Sequence, residues 1–157
     1  MTREEKFMRE AIALSRNAIE NNEGGPFGCV IVKDDTIVGR GNNKVTSTND
    51  PTAHAEVVAI RDACRNLGTF QLDGCEVYTS CEPCPMCLGA IYWARPKIIY
   101  YANNREDAAD AGFDDSMIYD EMAATVEQRK IPIKLLGRDE AIKVFNEWIN
   151  KPDKTAY

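Results

Sequence analysis

Residues 79–90 read TSCEPCPMCLGA, and this stretch constrains the fold more than any other. Cys81, Cys84 and Cys87 stand three apart and run at once into a small, apolar segment. Thiols this close are bridges, metal ligands or plain core. The N-terminal stretch MTREEKFMREAIALSRNAIENN is charged and amphipathic and lacks the continuous apolar centre of a signal peptide. The chain is therefore expected to be cytoplasmic, where thiols stay reduced and disulfides are disfavoured. Metal ligation becomes the leading reading of the cluster.

The periodicities predict one α/β domain over residues 1–157. Residues 4–21 carry Phe7, Ala11, Ile12, Ser15, Ala18 and Ile19 at helical spacing. GGPFG (24–28) ends that helix. CVIVK (29–33) and TIVGRG (36–41) then read as strands joined at Asp34-Asp35. In NDPTAHAEVVAIRDACRNLG, Asp50 suits a helix cap and Pro51 the first helical position, with Val57, Ile60, Cys64 and Leu67 as the buried stripe. CEVYTS (75–80) and KIIYYA (97–102) read as further strands around a helix from Glu82-Pro83 to Ala94. IPIKLL (131–136) reads as a fifth strand, and residues 139–150 as a final amphipathic helix. Helices alternating with these strands predict an α-β-α sandwich around one mixed, five-stranded sheet. Cys29, Cys64 and Cys75 fall in apolar elements, as small core residues do.

The one histidine, His54, sits near the start of one predicted helix, and Cys84 and Cys87 at i and i+3 in the first turn of another. One imidazole and two thiolates form a soft set suited to Zn²⁺. Helix N-termini stabilise the thiolates. Side chains there lean beyond the helix end, so Glu56 can approach the same point as His54. Three ligands leave a fourth position open for water, with a carboxylate beside it to carry the proton. A closed Cys₃His site that adds Cys81 is the rival arrangement. It would be structural, and it gives Glu56 no work.

The pair His54-x-Glu56 and Pro83-Cys84-x-x-Cys87 is the signature of zinc nucleobase deaminases. GGPFG (24–28), NDPTAHAEV (49–57), YTSCEPCPMCLGAIYWARPK (78–97) and AGFDDS (111–116) closely resemble guanine deaminases of the cytidine-deaminase-like fold. That resemblance implies one Zn²⁺ per chain on His54, Cys84 and Cys87, with Cys81 a bystander. It implies attack of zinc-bound hydroxide on the amino-bearing ring carbon of guanine, giving xanthine and ammonia, with Glu56 as proton shuttle. Asn43 would bind a base edge. Asp115 would serve as a second proton carrier near the leaving amino group, with Asp114 as its neighbour and competitor. Phe27 and Trp93 would line a flat pocket for the base. Tyr157 would close the site of a second subunit in a homodimer whose C-terminal segment, about 138–157, is exchanged.

The residues also leave blander readings. Asn43 is a turn residue in GNNK, Asp115 a helix cap, Phe27 and Trp93 core, and KPDKTAY a loose tail. Deamination of guanosine, cytosine or tRNA adenosine stays open, as does a non-catalytic zinc module. The net charge of −6 and seven acidic residues with no basic one between Glu106 and Glu121 argue for a small neutral substrate over nucleic acid. No apolar run is long enough to span a membrane.

Overall fold

Asp34 and Asp35 take φ of 47° and 61°, the left-handed pair of a tight hairpin, and so join β1 (Gly28–Lys33) to β2 (Thr36–Asn42). The computed structural model describes residues 1–157. β1 also pairs antiparallel with β3 (Glu76–Cys81), which pairs parallel with β4 (Ile98–Asn103). The sheet is mixed and four-stranded, in the order β2-β1-β3-β4. The expected fifth strand does not form. Residues 131–136 have no ladder partner, and Leu136 is 95% exposed. An apolar run alone does not make a strand; composition leaves the ladder partner undecided.

Side-chain alternation divides the core into two layers. Val30, Val32 and Tyr78 face α1 (Arg3–Glu20), where Ala11 is buried and Phe7, Met8 and Leu14 pack alongside. α1 begins with a capping box between Thr2 and Glu5. Its buried stripe is rotated from the predicted one, leaving Ile12 and Ile19 exposed. Cys29, Ile31 and Val77 face the opposite layer, built from α3 (Ala55–Leu67) and α4 (Pro85–Ala94). A bulge at Val38 sets Ile37 opposite Val32 and Gly39 opposite Ile31, so the two point to opposite faces. The α-β-α layering is as the sequence predicts.

The start of α3 differs from the prediction. Val45–Thr48 forms a short helix, α2, which ends at Asn49 in the left-handed region (φ 51°). Asp50 then caps nothing. It accepts hydrogen bonds from the Thr52 backbone N–H (2.8 Å) and hydroxyl (2.6 Å), closing a turn. The N-cap of α3 is His54, with extended backbone. The innermost line of α3 is Ala55, Ala59 and Ala63 rather than the larger stripe. Gly39 and Gly41 of β2 lie directly beneath it, and a Cβ on Gly41 would stand 2.2 Å from the Ala55 carbonyl oxygen. Small residues on both sides let helix and strand approach closely.

β4 leads into α5 (Arg105–Asp110), capped by Asn104 and Asp107. Residues 1–115 form one compact unit and 116–157 another. The second unit holds α6 (Ser116–Ala123), a 3₁₀ turn at Val126–Gln128 and α7 (Arg138–Asn150). All six cysteines are free thiols. Cys29 and Cys75 are buried in the core, and Cys64 packs at its margin. No helix is long and apolar enough to cross a membrane.

Candidate metal centre

Two helix starts converge here. His54 is the N-cap of α3, and Cys84 is the N-cap of α4, with Pro85 as the first helical residue. The Cys84 sulfur takes the capping role of an oxygen and accepts from the Cys87 backbone N–H at 3.5 Å. Because His54 precedes its helix, its spacing from Glu56 no longer has to satisfy helical geometry. His54 Nδ1 lies 3.5 Å from Cys84 Sγ and 3.5 Å from Cys87 Sγ, and all three donor atoms fall within 4.8 Å of one another.

These separations fit zinc. A tetrahedral ion with Zn–N of about 2.0–2.1 Å and Zn–S of about 2.3 Å puts nitrogen and sulfur about 3.5–3.6 Å apart. The hydrogen bond with Cys87 draws the Cys84 thiol well below its ordinary value, against burial and with help from His54. The same bond pushes Cys87 up. His54 is raised, first by its contact with Cys84, with burial opposing. A thiolate is thus already favoured where a cation would sit.

Cys81 does not join this group. It is buried at the end of β3, its sulfur 3.9 Å from the Asn104 carbonyl oxygen, and burial pushes its thiol up to about 11. The closed Cys₃His arrangement therefore lacks its third sulfur.

Glu56, in the first turn of α3, is buried. Burial raises its carboxyl above the ordinary range, while hydrogen bonding to its own backbone and to Cys87 opposes the rise. The Thr79 hydroxyl is 3.2 Å from Glu56 Oε1. Reading the sequence missed Thr79. The signal was present in strand alternation, which puts residues 77, 79 and 81 on the α3 side of β3, but only the fold shows that Glu56 lies across from it.

The other expected residues are placed as follows. Asn43 is buried, and its Oδ1 accepts from the backbone N–H groups of Gly25 (3.3 Å) and Val45 (3.1 Å). The amide oxygen is thereby committed to holding the GGPFG loop. Phe27 packs against the core, edge-on to Phe113 at 4.9 Å. Asp115 is partly buried, 3.7 Å from Arg105 Nε, whereas Asp114 is exposed. Burial raises the Asp115 carboxyl, Arg105 lowers it, and Cys84 adds a further upward push. Asp115 is therefore within electrostatic reach of the centre. Trp93 lies near the end of α4 and is 63% exposed, and Tyr157 is also exposed.

Comparison with known proteins agrees with this centre. The cytidine and deoxycytidylate deaminase zinc-binding region matches residues 1–103. Guanine deaminase of Bacillus subtilis (strain 168) is 54% identical over 153 residues, covering 98% of each chain. The X-ray structure of a guanine deaminase from Bacillus subtilis, also 54% identical with 98% of each chain covered, superposes with a TM-score of 0.95. The tRNA-specific adenosine deaminase of Aquifex aeolicus (strain VF5) is 42% identical over 103 residues, covering 65% of this chain and 68% of that one.

Proposed function

We infer that this chain, which belongs to the cytidine and deoxycytidylate deaminase zinc-binding family, catalyses the hydrolytic deamination of guanine to xanthine and ammonia. The observation that carries the chemistry is the convergence of His54 Nδ1 with both cysteine sulfurs next to a buried carboxylate. The choice of guanine over tRNA adenosine rests on the degree of identity at near-full coverage. The guanine deaminase is 54% identical over 98% of this chain, whereas a tRNA-specific adenosine deaminase that matches 93% of it is 33% identical.

His54, Cys84 and Cys87 hold one zinc ion per chain. When bound, zinc activates a water as a nucleophile at neutral pH. Glu56 takes the proton of the attacking water and passes it to the ring nitrogen next to the amino-bearing carbon. The remaining hydroxyl proton passes through Glu56 to the amino group, the carbon–nitrogen bond breaks and ammonia leaves, the oxygen staying as the new carbonyl, so one water supplies both protons. Burial suits Glu56 to this work, because a raised carboxyl holds a proton more readily than a solvated one. Asp115, near the centre and restrained by Arg105, assists at the leaving amino group. Asn43 presents its amide nitrogen to an acceptor on the base, its oxygen being engaged by the loop. Phe27 and Trp93 line the flat pocket, and Tyr157 closes the site of a second subunit.

The active form is a homodimer that exchanges the C-terminal segment, about residues 138–157. Apolar side chains left in solvent in the single chain support this reading, Phe145 at 68% and Trp148 at 44% exposure among them. Light scattering of the whole protein should give twice the chain mass.

The test of function pairs a substrate panel with Glu56→Gln. Ammonia release should be fastest with guanine, and the variant should fold, load zinc and lose at least about 10²–10⁴-fold in kcat. Faster turnover of cytosine or a nucleoside would refute the substrate. Parental activity in the variant would refute the proton carrier.

A further inference from the structure

Thr79 sits on β3, an interior strand of the sheet, paired with Cys29 on one side and Tyr101 on the other. Its side chain is 1% exposed, and β-branching restricts its χ1. Two acceptors flank the hydroxyl: Glu56 Oε1 at 3.2 Å and the Cys81 carbonyl oxygen at 3.0 Å. One hydroxyl proton serves one acceptor at a time, and the oxygen can accept in return. The group can therefore hold Glu56 Oε1 by donating to it, or by accepting from it while donating to Cys81. Glu56 has a long side chain on a helix end; besides hydrogen bonds to its own backbone and to Cys87, Thr79 restrains Oε1 from across the layer.

Resting on the reading of Glu56 as proton carrier, we propose that Thr79 is its positioning residue, holding one carboxylate oxygen and leaving the other for the reacting atoms. Thr79 touches neither metal ligand nor base in this role, so its loss acts on the chemical step and spares binding.

Thr79→Val keeps the shape and removes the hydroxyl, and Thr79→Ser restores it. With guanine as substrate, Thr79→Val should lower kcat by about 10- to 100-fold. KM should stay within about twofold, and zinc content and Tm should stay near the parental values. Thr79→Ser should recover kcat to within about threefold of the parent, because the single proton is back. A crystal structure of Thr79→Val should show the Glu56 carboxylate displaced. A parental kcat in Thr79→Val, equal loss in Val and Ser, a loss that follows zinc depletion, or an unmoved Glu56 would each overturn the proposal. Thr79→Ala carries the same test if the Val variant does not accumulate as folded protein. Glu56→Gln run in parallel separates the failures: an active Gln variant sinks the proton-carrier reading, whereas an inactive Gln variant beside a normal Val variant sinks Thr79 alone.

Discussion

Gly41→Ala tests whether the β2–α3 contact sets the metal centre. The added Cβ would stand 2.2 Å from the Ala55 carbonyl oxygen, 2.5 Å from the Ala59 nitrogen and 3.0 Å from Val58 Cβ. The first two are backbone atoms and cannot rotate away. Close carbon–oxygen contacts settle at about 3.3 Å, so the start of α3 must retreat by about 1 Å. Ala55 lies between His54 and Glu56, so both move with it. His54 now stands 3.5 Å from both sulfurs, and ligand distances must stay within about 0.2 Å of ideal to hold zinc well. The variant should lose about 1–3 kcal/mol of stability, the usual cost of overpacking. It should bind zinc at least about tenfold more weakly in chelator competition and lose about 10²-fold in kcat/KM, the scale of a 1 Å misplacement. Gly89→Ala is the control. Its Cβ would meet nothing within 4 Å, and alanine in a helix should add about 0.5–1 kcal/mol with parental activity. Parental zinc affinity and kcat/KM in Gly41→Ala would refute the idea that β2 holds α3 in register with α4.

Cys81→Ser should retain one zinc per chain by elemental analysis, since that thiol turns toward Asn104 and not toward His54; loss of the metal would revive the closed site. Acid stability should depend on Glu76. Burial favours its neutral form, but hydrogen bonds from Arg3, Tyr78 and Lys97 outweigh burial and hold the carboxyl at about 2 instead of 4.5. A depressed carboxyl stabilises above its unfolded value and loses that contribution as pH falls from about 4.5 toward about 2. Solvent screening of Arg3 and Lys97 trims the effect to about 1–2 kcal/mol, so Glu76→Gln should show a correspondingly flatter acid limb in chemical unfolding. An unchanged acid limb would show that the network carries no linkage.

Much of this protein was legible along the chain because its ligands are local. Cys84 and Cys87 share one helix start, and His54 and Glu56 lie two residues apart, so linear spacing exposes the donor set. Strand and helix periods revealed the hairpin, β3, β4 and the outer helices for the same reason. What short-range reading got wrong was set by partners elsewhere. IPIKLL has strand composition but forms no ladder, and Asp50-Pro51 has cap chemistry but is drawn into a turn with Thr52.

The amino-acid order alone determined the chemistry: a soft donor set, an acid beside it, and a chain whose elements alternate into layers. Tertiary structure decided which sulfur stays out, because the end of β3 turns Cys81 toward Asn104 while the cap of α4 turns Cys84 inward. It also brought Thr79 to Glu56 and Gly41 beneath Ala55, contacts between residues on different elements. Spacing along one element reports only the neighbours that element supplies; which faces meet is settled when helices and sheet pack together.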